Sequence, residues 1–218
     1  MSGELGEPDR ACSLCPRLAA YRAANAAAEP DWFNGPAPSF GDRAAQLLIV
    51  GLAPGRTGAN RTGRPFTGDY AGDLLYATLA KFGFSEGVYQ ARPDDGLTLR
   101  DALITNAVRC APPENKPTAA EARTCRPFLA ERIASLKRLR AVITLGKVAH
   151  DNTRMALGAK AAAAPFAHGA HASLTGPHGP LAVFSSYHCS RYNTQTRRLT
   201  SDMFEAVFAQ ARAFLDAA

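Results

Sequence analysis

Residues 47–69 read LLIVGLAPGRTGANRTGRPFTGD. The segment opens on five residues, 47–51, with no polar side chain, and passes directly into a glycine-rich loop. A short continuous apolar run bounded by turn residues is the mark of a strand covered on both faces, as in a parallel sheet. Three further runs of this kind follow at 103–107, 141–145 and 181–185. Helical patterns separate them at 72–82, 119–139, 147–157 and 194–215, the last with Leu199, Met203, Phe204, Val207, Phe208 and Phe214 on one stripe. Strands alternating with helices predict a three-layer α/β/α sandwich with a central, mainly parallel four-stranded sheet. Residues 28–45 carry Pro30, Gly35, Pro36 and Pro38 and read as a loop. Residues 159–180 read as an irregular excursion that can hold a hairpin. Neither resembles a domain linker, so the sequence predicts one domain over 1–218.

In open sheets of this class the ligand crevice lies beyond the carboxyl ends of the strands. The loop after the first strand therefore matters most. Gly55, Gly58, Gly63 and Gly68 allow its backbone to approach a ligand closely, and Arg56, Arg61 and Arg64 add positive charge. No Gly-Lys-Ser/Thr follows, which excludes a Walker loop, and the dinucleotide fingerprint is also absent. Phe66, set among polar loop residues, is either a core plug or a platform on which a base stacks.

The chain has 218 residues, a net charge of +6 and a pI near 9.3. A basic balance favours a polyanionic partner, because Lys and Arg release counterions when they meet phosphates. Charge alone leaves an ordinary basic enzyme equally open. No run of 18 apolar residues exists, so no membrane partner is expected. Residues 1–10 are acidic and polar, unlike a secretory signal, and predict a soluble, cytoplasmic protein.

Of the five cysteines, Cys12 and Cys15 form a C-x2-C pair, and Cys110 and Cys125 flank a proline-rich turn with 14 residues between them. Outside an oxidising compartment such a set points to metal rather than disulfides. Four thiolates suit zinc or an iron–sulfur cluster, and buried structural cysteines remain the alternative. Cys189 stands apart and reads as packing.

Three segments together now carry a resemblance. They are GLAPGRTGANRTGRPFTGD at 51–69, TNAVRCAPPENKPT at 105–118 and HCSRYNTQTRRLT at 188–200. In this order, and with the four cysteines, they resemble the uracil-DNA glycosylase superfamily and within it family 5, the iron–sulfur type. The similarity covers roughly residues 12–217. It implies a repair enzyme that flips uracil, and other deaminated bases such as hypoxanthine, out of DNA and hydrolyses the N-glycosidic bond. The resemblance also implies a 4Fe–4S cluster on Cys12, Cys15, Cys110 and Cys125, stapling the N-terminal helix to the region after the second strand.

The same resemblance assigns roles. Phe66 stacks on the uracil ring. Asn106 donates to uracil O4 and accepts from N3–H, a pairing that cytosine reverses. The backbone of Gly51, Leu52 and Ala53 walls the pocket near O2. His188 aims a ring N–H at O2, where the leaving base gathers negative charge. The segment Phe166-Ala167-His168-Gly169 also resembles a family feature.

The chain departs from the superfamily in two places. Many members place a polar side chain soon after the first strand, where this chain has Leu52-Ala53, a lack that family 5 shares. Asp69 is then the first candidate for the water or the sugar cation, with helix capping as its alternative role, and Asn60 the second. The family's prolines after the histidine are replaced by Cys189 and Arg191, so the loop is expected to be more mobile. Tyr192 is the candidate wedge, with Arg191, Asn193, Arg197 and Lys116 as candidate DNA contacts, or else a solvated face. A monomer is expected. The competing readings are a non-catalytic iron–sulfur protein that binds nucleic acid as a damage sensor, and a small-nucleotide hydrolase.

Overall fold

The computed structural model describes residues 6–217. Its strands are β1 (Phe40–Gly41), β2 (Leu47–Gly51), β3 (Ser85–Glu86), β4 (Thr98–Leu99), β5 (Ala102–Asn106), β6 (Ala141–Leu145), β7 (His171–Gly176) and β8 (Gly179–Ser186). Its α-helices are α1 (Pro16–Ala28), α2 (Ala59–Thr62), α3 (Tyr70–Lys81), α4 (Ala119–Ser135), α5 (Lys147–Ala156), α6 (Arg191–Gln195) and α7 (Ser201–Asp216). The main sheet runs β1-β5-β2-β6-β8-β7, and β3 and β4 form a separate two-stranded ribbon. The four inner strands are parallel, and β1 and β7 are antiparallel edges.

All five side-chain positions of β2, β5 and β6 are buried, so helices cover both faces. Alternation divides the strand residues between two cores. Leu47, Ile49, Ile104 and Ile143 pack with Leu75, Leu79, Phe204 and Phe208 of α3 and α7. Leu48, Val50, Leu103 and Val142 pack with Leu129, Ile133 and Ala149 of α4 and α5. Each fully buried aliphatic side chain contributes about 1.5–3 kcal/mol to the layer contacts. The three-layer sandwich expected from sequence is therefore present.

Three expectations are corrected. The sheet has six strands, not four. β1 is two residues long, inside the proline-rich stretch, too short to leave a period. β7 is an edge strand with mostly exposed side chains, so it lacks the apolar run that marked its neighbours. Nor is the C-terminal helix continuous over 194–215. Arg197 takes a left-handed backbone (φ 55°), and Thr200 starts α7 afresh by accepting the Met203 N–H at 3.2 Å. The helix predicted to reach 139 ends at Ser135.

Candidate active site

Because β2, β5 and β8 are parallel, with β6 between β2 and β8, their carboxyl ends emerge at one end of the sheet and deliver Gly51, Asn106 and, two residues past Ser186, His188. A cavity at this end is lined by Ala53, Gly55, Phe66, Asp69, Asn106 and His188, among others. Gly51 is buried beneath it. A Cβ there would lie 2.4 Å from Asn106 Oδ1 and 2.6 Å from Phe66 Cζ, so only glycine lets amide and aromatic ring meet over the strand end. Asn106 is 3 % exposed, yet its carboxamide hydrogen-bonds to no other described residue.

Phe66 has φ 53°, a left-handed backbone that costs about 1–3 kcal/mol for a residue of this size. The surroundings hold it there. Its carbonyl accepts from the Tyr89 hydroxyl at 3.1 Å, and the Pro65 carbonyl accepts from the Tyr76 hydroxyl at 2.7 Å. Gly72 passes so close that a Cβ would meet the Phe66 carbonyl oxygen at 1.9 Å. Arg64 makes a two-pronged ion pair with Asp95, both contacts 2.7 Å, inside a box of Phe40, Tyr76 and Tyr89. That pair holds the Asp95 carboxyl well below the usual carboxylate range. The guanidinium of Arg64 is thus a buried prop for the loop, not a surface charge for DNA. Asp95, 29 residues beyond Phe66, had no motif to announce it.

Asp69 ends the loop and caps α3, its Oδ1 accepting from the Gly72 N–H at 3.3 Å. Its other oxygen faces the glycine loop, where a Cβ on Gly58 would lie 2.3 Å from Oδ2 and one on Gly55 3.2 Å. Both roles weighed for this residue are geometrically present, the cap and a carboxylate lining the cavity. Burial pushes its pKa up, and the N–H groups of Gly72 and Ala71 pull it back. Asn60 is placed elsewhere: it is buried, and its side chain donates to Asn34 Oδ1 at 3.0 Å.

The His188 ring stacks near Phe66, centroids 5.9 Å apart at 27°. Neither of its ring nitrogens bonds to another described residue, and desolvation lowers its pKa to about 4. At neutral pH it is an uncharged imidazole with one N–H and one lone pair to offer. Its carbonyl accepts from Asn193 Nδ2 at 2.8 Å, which ties Asn193 to the loop itself. Leu52 sits on the far side of His188, lining a second cavity with Gly146, Lys147, Tyr187, Asn193 and Arg198.

The other DNA-contact candidates lie on and just after α6 and in the turn beyond β5. Tyr192 projects from α6 and is 70 % exposed. Arg191 lies over the Tyr70 ring at 5.5 Å, Arg198 over Tyr187 at 4.7 Å. Arg197 is exposed beside Tyr70 and Thr194 in a surface groove. Lys116 is exposed and pairs with Glu114 at 3.2 Å.

On another side of the β5 end, Cys12, Cys15, Cys110 and Cys125 line a single cavity. All are free thiols. Burial raises the pKa of Cys15, Cys110 and Cys125. Two N–H groups already point at sulfur: Arg22 Nη1 to Cys110 Sγ and the Arg109 backbone N–H to Cys125 Sγ, each 3.3 Å. Among the described residues no three His, Cys, Asp or Glu side chains are gathered as ligands of one metal ion. Cys189 is fully buried behind His188 and donates to the Ala71 carbonyl at 3.5 Å. No described helix is long and apolar enough to cross a membrane.

Comparison with known proteins adds the family. The model of the Uracil DNA glycosylase superfamily matches residues 38–212. The chain is 45 % identical over 208 residues to the Type-5 uracil-DNA glycosylase of Thermus thermophilus, covering 93 % of each chain. It is 39 % identical over 209 residues to the Type-5 uracil-DNA glycosylase of Pyrobaculum aerophilum, covering 93 % of this chain and 88 % of the relative. To the Type-4 uracil-DNA glycosylase of the same organism the identity is 34 % over 125 residues, 57 % of this chain and 56 % of the relative.

Proposed function

The chain belongs to the uracil DNA glycosylase superfamily, and from that premise we propose that it excises uracil from DNA with the cavity at the carboxyl ends of β2, β5 and β8. It acts as a DNA-repair glycosylase, a hydrolase of the N-glycosidic bond that leaves an abasic site. The observation that carries the assignment of the site is the meeting of Phe66, Asn106, Asp69 and His188 in one cavity, with the amide and the imidazole both unpartnered.

The base is unreachable inside a duplex and must be extruded to enter this cavity. Its ring stacks on Phe66 while the Asn106 carboxamide reads its edge, and the backbone from Gly51 to Ala53 closes the O2 side. A neutral His188 donates its N–H to O2 as negative charge gathers there. This stabilises the transition state more than the bound substrate and needs no prior proton uptake. Asp69 supplies a carboxylate to the cationic sugar or to the attacking water, with Asn60 supporting the loop through Asn34 rather than touching substrate. Ala53 is small and uncharged, which leaves room for hypoxanthine. Tyr192 fills the gap left in the stack, and Arg191, Arg197, Arg198 and Lys116 meet phosphates. The exposure of Tyr192 and the positive charge on and just after α6 support this. The enzyme works as a monomer in the cytoplasm.

The four cysteines hold a 4Fe–4S cluster. When bound, it cross-links the start of α1, the chain after β5 and α4, a structural role. The all-sulfur donor set lining one cavity and the N–H groups aimed at two of the sulfurs support thiolate ligation.

A duplex with one G·U pair, incubated with excess enzyme and probed for abasic sites, tests the function. Inosine-containing duplexes in the same panel test the wider range.

A further inference from the structure

The ladder between β7 and β8 reaches His171 opposite Phe184. Ser185 is still served by backbone, its N–H donating to the Ala170 carbonyl at 2.9 Å and its carbonyl accepting from Gly169 at 2.8 Å. Beyond that the partner strand is lost, because Gly169 turns with φ 75°. Tyr187 nevertheless keeps both of its backbone groups satisfied. Its N–H donates to His168 Nδ1 at 3.1 Å, and its carbonyl accepts from Ser186 Oγ at 2.8 Å. The rings of His168 and Tyr187 stack, centroids 5.0 Å apart at 21°. A side chain thus continues the sheet for one more residue, and the residue after it is His188.

We propose that His168 is a positioning residue for His188. It fixes the Ser186–Tyr187 peptide, one residue before the imidazole, while Ser186 Oγ holds the next peptide at the Tyr187 carbonyl and Asn193 holds the His188 carbonyl. Accepting at Nδ1 requires His168 to carry its proton on Nε2. The hairpin-loop segment 164–169 then contributes to catalysis without touching the base. The proposal rests on the reading of His188 as the donor to the leaving base, since small displacements of such a donor are costly.

Two substitutions separate the acceptor from the ring. His168→Phe keeps the stack on Tyr187 and removes the acceptor, whereas His168→Asn removes the ring and keeps an accepting oxygen. Single-turnover uracil release from a G·U duplex, DNA Kd and Tm are measured for each, alone and on a His188→Ala background. The expected result is that His168→Phe slows release by about ten- to hundredfold with Kd unchanged. His168→Asn recovers most of the rate, and His168→Phe costs nothing further once His188 is gone. Equal loss on both backgrounds, or losses in both variants that track Tm, would show a purely structural role and overturn the proposal. A slow His188→Ala beside a fast His168→Phe overturns the positioning role alone. A His188→Ala enzyme as fast as the parent overturns the donor reading and the positioning role with it.

Discussion

A methyl group on Gly51 would lie 2.4 Å from Asn106 Oδ1 and 2.6 Å from the Phe66 ring. The Asn106 amide at the end of β5 and the Phe66 ring of the loop after β2 meet only because β2 ends without a side chain. Gly51→Ala is expected to displace both groups, slowing uracil release by about a hundredfold and destabilising the fold by about 1–3 kcal/mol. Single-turnover kinetics and urea unfolding check the two parts.

Asp69 both caps α3 and lines the cavity, and Asp69→Asn separates these functions. Asn caps a helix about as well as Asp, so Tm should hold within a few degrees. Loss of the carboxylate beside the sugar should slow base release by at least about tenfold, an effect on the scale of one electrostatic contact in a dry site. An Asn variant with full activity would leave only the cap.

His188 gives the fold an acid sensitivity whose sign is set by its depressed pKa, about 4 against 6.5 for an ordinary imidazole. Between those values the unfolded chain binds the proton and the folded chain does not. Stability therefore rises with pH across this window and is lost as pH falls through it. His188→Gln removes the titrating group, so its Tm should fall less than the parent's on acidification from about pH 7 to about pH 5. Identical shifts in the two proteins would contradict the neutral imidazole with its lowered pKa.

The cysteine cavity predicts protein that is brown as isolated, with iron and acid-labile sulfide in stoichiometric amounts. Cys110→Ser should bleach it and lower Tm sharply, because α1, the chain after β5 and α4 lose their common anchor. Colourless parent protein containing zinc would replace the cluster.

Much of this was legible in residues 47–69 and in the two later segments. Buried parallel strands leave uninterrupted apolar runs, and these gave β2, β5, β6 and β8. Phe66, Asn106 and His188 were singled out by the three segments that carry the resemblance, and the fold brings all three to one cavity. What stayed hidden depends on contacts distant in sequence. β7 pairs as an exposed edge, and Arg197 breaks a helical stripe through its backbone alone. The Arg64–Asp95 pair joins a loop to the connection between β3 and β4, so the sequence showed Arg64 only as a loop charge. The bond from the Asn193 amide to the His188 carbonyl likewise left no trace in the sequence.

The most direct test of the shared pocket is uracil release from a single G·U pair by the parent and by Asn106→Ala under single-turnover conditions. The account predicts an abasic site with the parent and a loss of at least about a hundredfold in the variant, the scale on which a site that reads a base by hydrogen bonding loses discrimination. Release at equal rates by the two, or no abasic product from the parent, would contradict it.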